Sequence, residues 1–255
     1  MVFGDEWLQR IRARDRRTIA RTITAAENDP ARADSLRQKL APYVGRAHVV
    51  GITGPAGAGK STLVNALVGE LLARGHAVAV VAVDPSSPFT GGAVLGDRIR
   101  MAEHQASERV FIRSLAARGH AGGLSGTTAQ IVSVLDAAGF DIVLVETVGA
   151  GQSDVAIAAI ARTRIVVYPP GLGDEIQALK AGVLEIADIL VVNKADLPGA
   201  DRTARDLLGM PARRGGEKKR PVLKTSATTG DGVVMLADAI SEHEARSPAE
   251  HCGTP

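Results

Sequence analysis

Gly54-Pro55-Ala56-Gly57-Ala58-Gly59-Lys60-Ser61 decides the fold, because it follows the apolar run His48–Thr53 and opens the amphipathic stretch Ser61–Arg74. The octapeptide matches G-x-x-x-x-G-K-S/T, the phosphate-binding loop that joins a strand to a helix. Its glycines let the backbone curl so that successive N–H groups point inward at a polyphosphate, and the helix N-terminus adds partial positive charge. Lys60 would bridge the outer phosphates and the Ser61 hydroxyl would hold Mg2+. Gly54, Gly57, Ala58, Gly59 and Thr62 complete the expected cradle. With average residue usage, a chance match somewhere in this chain has odds of about one in a hundred, before the flanking strand and helix are required.

The alternation continues downstream. Apolar runs rich in Val and Ile fall at 48–53, 77–84, 110–114, 142–147, 165–168, 189–193 and 222–226. Most show little polar alternation, as expected of strands buried on both faces. Helical stretches at 61–74, 127–138, 153–162 and 232–244 separate them. The pattern predicts an α/β P-loop NTPase: a mostly parallel, doubly wound sheet flanked by helices, with ligands beyond the carboxyl ends of its strands. The stretch 198–220, with Pro198-Gly199, Pro211, Gly215-Gly216 and a basic patch, reads in part as a surface loop. Ahead of the sheet, Trp7, Leu8, Ile11, Ile19 and Ile23, then Leu36, Leu40 and Tyr43, predict a short N-terminal helical extension. It reads as a hairpin broken at Asn28-Asp29-Pro30, whose apolar stripe must pack on the domain downstream of it.

Composition excludes several classes. Hydrophobic residues make up 45% of the 255 and charged residues 23%, the usage of a folded globular chain. Aromatics are only 3%, so the core must come from Ala, Val, Leu and Ile, and aromatic base stacking is not expected. A net charge of +2, from 30 basic and 28 acidic residues, is too balanced for a nucleic-acid binder. Local surpluses at Arg10, Arg12, Arg14, Arg16, Arg17 and Arg21, and at Arg213, Arg214, Lys218, Lys219 and Arg220, read as solvated surface, with partner docking as the alternative. The single Cys252 leaves no disulfide framework and fits a reducing compartment. No segment is long and apolar enough to span a bilayer, and Asp5, Glu6 and Arg10 interrupt any signal-peptide core. The expectation is a soluble cytoplasmic protein.

Asn193-Lys194-Ala195-Asp196 names the base. A carboxylate in the plane of guanine accepts from N1–H and the exocyclic amine, whereas adenine would leave Asp196 unpaired at a cost. Asn193 would reach the other side of the base or brace the loop, and the aliphatic stem of Lys194 would lie against it. Thr225-Ser226-Ala227 suits a backbone loop at the guanine oxygen, so Ser226 and Ala227 join the expected site. Glu146-Thr147-Val148-Gly149 ends the fourth apolar run, with Glu146 placed for the magnesium shell and the Gly149 N–H for the γ-phosphate. No Gln follows Gly149 directly, so a water-positioning Gln is not expected and unaided hydrolysis should be slow. Asp84 and Asp97 are further candidate magnesium contacts, although helix capping or a surface turn explains a single acid equally well.

Together these residues resemble the MeaB/ArgK-type P-loop GTPases, chaperones of adenosylcobalamin-dependent acyl-CoA mutases. The strings that carry the resemblance are V-G-I-T-G-P-A-G-A-G-K-S-T-L from Val50, V-D-P-S-S-P-F-T-G-G-A-V-L-G-D-R-I-R-M from Val83, R-G-H-A-G-G-L-S from Arg118, V-E-T-V-G-A-G-Q-S-D from Val145 and G-D-E-I-Q-A-L-K-A-G from Gly173. The resemblance implies GTP and GDP as ligands, Mg2+ held by Ser61, Asp84, Asp97 and Glu146, and a mutase as partner. It also implies that Gln177 and Lys180 belong to a mobile switch read by that mutase. Spacing alone would make Asp174–Lys180 a capped helix start. It divides the chain into a helical segment 1–45, a GTPase domain 46–246 and a tail 247–255 without fixed structure. Family members commonly continue into a C-terminal dimerisation arm, and because the chain stops at Pro255 that arm is expected to be missing, although a homodimer stays open. A metallocentre-assembly GTPase, such as one for nickel, and a small-molecule P-loop kinase are the alternatives. The first should display Cys and His ligands and the second an acceptor site.

Overall fold

Seven strands follow the expected apolar runs: β1 (His48–Thr53), β2 (Val78–Pro85), β3 (Val110–Ala117), β4 (Ile142–Thr147), β5 (Thr163–Tyr168), β6 (Ile189–Val192) and β7 (Val222–Lys224). They form one sheet in the order β3-β2-β4-β1-β5-β6-β7, with every neighbouring pair parallel. The computed structural model describes residues 3–29, 33–85, 102–104, 106–117, 121–147, 159–171, 187–209 and 220–246. Seven α-helices fall among the described residues: α1 (Asp5–Arg12), α2 (Arg16–Asn28), α3 (Ala33–Leu40), α4 (Lys60–Ala73), α5 (Ala121–Ala137), α6 (Ala200–Leu208) and α7 (Val233–Arg246).

Alternate strand positions serve opposite faces, so both faces are apolar. Val50, Ile52, Val80, Leu144, Ile165 and Val191 pack against Leu63 and Leu67 of α4 and Leu236 and Ile240 of α7. Val49, Ala79, Val81, Val143 and Val145 pack on the other side against Ile131 and Leu135 of α5. The same cluster takes in Ile11, Ile19, Ile23, Leu36 and Leu40, so the N-terminal helices share the core of the sheet, as their unsatisfied stripe required. Farther along, Val166, Tyr168, Leu190 and Val192 close over Ala200 and Leu207 of α6.

Two local expectations change. The first helical run is two helices, because Arg14 takes a positive φ of 58° and Asp15 then caps α2 by accepting from Thr18 N at 2.7 Å. The stretch expected to be partly a surface loop, 198–220, opens with α6, whose Ala200, Thr203 and Leu207 recur on one buried face, and its residues 210–219, with Arg213, Arg214, Lys218 and Lys219, lie outside the described residues. The N-terminal arginines are not merely solvated. Arg14 donates to the Ala138 and Gly139 carbonyls and stacks 5.3 Å over Phe140. Arg16 donates to Ser107 O at 3.1 Å and Val110 O at 2.9 Å, and Arg12 lies over Tyr43. Asp136 of α5 completes the junction by accepting the backbone N–H groups of Gly45, Arg46 and Ala47 at 2.5, 3.2 and 2.9 Å, just ahead of β1.

Candidate nucleotide site

The loop between β1 and α4 is shaped by what crowds it. At Gly54, φ is +142° and a Cβ would lie 2.0 Å from the Val167 carbonyl oxygen of β5, so no side chain fits. Gly59, at φ +84°, would place a Cβ 2.5 Å from Asn193 Nδ2. Gly59 is also the N-cap of α4 and supplies no side-chain cap. The first-turn N–H groups of Lys60, Ser61 and Thr62 therefore point out of the helix start without an intrahelical acceptor, the arrangement that binds anions. Lys60 is 6% exposed, and its ammonium curls back on the Gly54 and Pro55 carbonyls at 2.8 and 3.0 Å.

Glu146 enters from the next strand. The β1–β4 register pairs Ile52 with Glu146, on the face that α4 covers, and Ser61 Oγ donates to Glu146 Oε1 at 2.6 Å. That is a short, charge-assisted bond. A hydroxyl and a carboxylate held together beside the loop make a hard oxygen pair suited to Mg2+, which keeps most of its waters and takes few protein ligands. The residues present therefore fit the metal. Among the described residues no group of three or more His, Cys, Asp or Glu side chains could hold a metal ion.

Asn193 is 1% exposed and makes the bonds expected of a brace. Its Nδ2 donates to Ala58 O at 2.9 Å and Gly59 O at 3.3 Å. Its Oδ1 accepts from Thr225 Oγ1 at 3.1 Å and Ala227 N at 3.2 Å. One side chain thus ties the phosphate loop to both loops expected at the base. Lys194 takes a φ of +57°, and its Cε approaches Gly59, so its stem runs along the phosphate loop. Ala195 N donates to Thr225 O at 2.9 Å, which holds the two base loops side by side with Asp196 exposed between them and solvent. Ser226 is buried, and its N–H is spent on Asp231 O at 2.9 Å.

Other expected groups are placed only in part. Asp84 lies in the β2 ladder opposite Ala116, near the carboxyl end of the sheet, but its side chain lies outside the described residues. Asp97, Gly149, Gln177 and Lys180 also lie outside them, as do most of the expected helix 153–162 and the tail 247–255. Sequence reasoning missed a buried pair at the same edge, Thr147 Oγ1 donating to Thr53 Oγ1 at 3.0 Å. The signal was available: each threonine closes an expected strand, Thr53 directly before Gly54 and Thr147 two residues before Gly149.

Comparison with known proteins identifies relatives of the whole domain. The family described as methylmalonyl-CoA mutase-associated GTPase MeaB matches residues 19–252. A Pyrococcus horikoshii protein named as a GTPase is 51% identical over 94% of this chain and 77% of its own length. The mitochondrial methylmalonic aciduria type A homolog of Mus musculus is 37% identical over 84% of this chain and 52% of its own. The crystal structure of a LAO/AO transport system kinase superposes with a TM-score of 0.77 at 29% identity, covering 96% of this chain and 77% of that one.

Proposed function

The chain belongs to the MeaB family of methylmalonyl-CoA mutase-associated GTPases, and from that premise we propose that its GTP hydrolysis gates cofactor loading or protection of an adenosylcobalamin-dependent acyl-CoA mutase. The observation that carries the hydrolytic part is the Ser61–Glu146 bond of 2.6 Å at the mouth of the phosphate loop. The family description and the relative named for methylmalonic aciduria support the mutase part.

Each residue has a stated task. The first-turn amides of α4 and the Lys60 ammonium cradle the phosphates, and Lys60 offsets the charge that develops on the outer ones as water attacks in line. Ser61 and Glu146 hold Mg2+, which when bound neutralises the outer phosphate oxygens, with Asp84 and Asp97 as further contacts. Asp196 selects guanine, with Asn193 holding the loop and Ser226 and Ala227 backing it. Gly149 reports the γ-phosphate, and Gln177 and Lys180 carry nucleotide state to the mutase. The machinery beside the loop contains no water-activating Gln directly after Gly149, so the partner supplies rate as well as purpose.

Phosphate release from GTP, with and without a purified adenosylcobalamin-dependent acyl-CoA mutase, tests the reading. Turnover without any acceptor and a rise on adding the mutase are expected, and Gln177→Ala with Lys180→Ala should abolish the rise while leaving GTP affinity intact. A mutase that changes neither turnover nor nucleotide affinity, and forms no complex with a non-hydrolysable GTP analogue present, would sink it. Turnover that needs a small-molecule acceptor would favour a kinase instead.

A further inference from the structure

We propose that the buried hydroxyls of Thr53 and Thr147 are positioning groups for GTP hydrolysis, tying the strand that enters the phosphate loop to the strand that presents Glu146. The proposal rests on the metal role of Glu146 given above. The β1–β4 ladder runs in register from His48–Ile142 to Ile52–Glu146. One residue on, Thr53 pairs with Val166 of β5 and Thr147 with Val83 of β2, each on its strand's other side. The two threonines end β1 and β4 at the carboxyl edge of the sheet, one directly before the loop at Gly54 and the other two residues before Gly149 in the sequence. Ligands of open parallel sheets sit beyond that edge.

At that edge Thr147 Oγ1 donates to Thr53 Oγ1 at 3.0 Å, between residues 94 apart in the chain. Thr147 is fully buried and Thr53 nearly so. Strand parity puts both on the face of Val49, Val83, Val143 and Val145, where valine would pack without a hydroxyl to satisfy. A polar pair there adds direction that an apolar pair lacks. It fixes the spacing of β1 and β4 at that edge, and Thr147 is covalently next to Glu146, whose carboxylate points to the opposite face and meets Ser61. Fixing one fixes the other, and small displacements of positioned groups are expensive in rate.

Thr53→Val and Thr147→Val, singly and together, with Thr147→Ser as the variant that keeps the hydroxyl, provide the test. GTP turnover, the Mg2+ dependence of GDP binding by calorimetry, and the unfolding midpoint are read on each. Each Val change should lower kcat about five- to ten-fold with KM for GTP within about two-fold. It should also raise the Mg2+ concentration for half-maximal GDP binding, and Thr147→Ser should keep both near wild type. The double Val variant should be no worse than the worse single one, because both changes break the same bond. Wild-type turnover and Mg2+ dependence in a folded Val variant overturn the proposal, as do additive losses, a Ser variant as impaired as Val, or failure of both Val variants to fold. Glu146→Gln separates the two readings. If it keeps wild-type Mg2+ dependence, the metal role of Glu146 falls and the proposal with it. If it loses that dependence while the Val variants keep it, only the threonine tie falls.

Discussion

Acid should loosen this fold through His48, and the size of the effect is set by where the imidazole sits. His48 opens β1 and is fully buried. Its Nε2 lies 2.8 Å from Thr163 Oγ1, which in turn lies 2.8 Å from His243 Nδ1 on α7. Burial first, and then electrostatic repulsion from Arg162 and from the His243 ring, push its pKa from 6.5 down to about 4. Glu244 Oε1, 3.6 Å from Nδ1, is 45% exposed, so water screens that carboxylate, which would favour the proton. Below pH 6.5 the unfolded chain takes up a proton that the folded chain refuses until about pH 4. The contribution is therefore complete above the unfolded value and is lost as pH falls through that window. Each unit within it costs about 1.4 kcal/mol, so going from neutrality to about pH 5 should remove about 2 kcal/mol. Against a typical total of about 5–15 kcal/mol that is readily measured. Urea titrations of the wild type and His48→Gln at both pH values provide the assay, because Gln can still reach Thr163 but does not titrate. The carboxyls of Asp15 and Asp201, held below their ordinary 3.8 chiefly by hydrogen bonds from Thr18 and Lys224, act below this window. An equal loss of stability in both proteins between neutrality and about pH 5 would refute the reasoning.

Three further outcomes are expected. Asp136→Ala strips an acceptor from three backbone N–H groups and should cost about 2–4 kcal/mol in denaturant titrations. GTP affinity should stay within about two-fold, since the junction lies at the opposite end of β1 from the loop, and a change in affinity without a change in stability would contradict this. Asn193→Ala breaks both halves of the bridge between the loops. It should weaken GDP binding in calorimetry about ten- to hundred-fold while also lowering the unfolding midpoint, and wild-type affinity would remove its bracing role. Asp196→Asn should shift preference from GTP toward xanthosine triphosphate in competition binding, and a retained preference for GTP would count against the base contact.

Some of this was legible because it is local. The phosphate loop, the Val- and Ile-rich strands and the Asn193–Asp196 loop are each written in consecutive residues, and each lies where the spacing put it. Other elements were not legible, for equally physical reasons. Pro198-Gly199 marks a break, and the helix that begins immediately after it depends on Ala200 and Leu207 finding Leu190 and Val192 to pack on. The break between α1 and α2 contains neither glycine nor proline. It depends on a non-glycine positive φ at Arg14, stabilised by carbonyls from 124 and 125 residues away. Charge patterning alone left those arginines in solvent.

Residue order alone was enough for the element types, the parallel class of the sheet, and the expectation of a phosphate loop and a guanine-reading loop, because short-range sterics and hydrogen-bonding groups suffice for each. Tertiary structure alone decided the strand order, with β4 between β2 and β1. That order brings Glu146 to Ser61 across 85 residues, Thr147 to Thr53, and Asn193 to Ala58 across 135. Contacts of this kind depend on which strand lies beside which and in what register. Packing of helices on both faces of the sheet sets that arrangement, and no stretch of neighbouring residues encodes it.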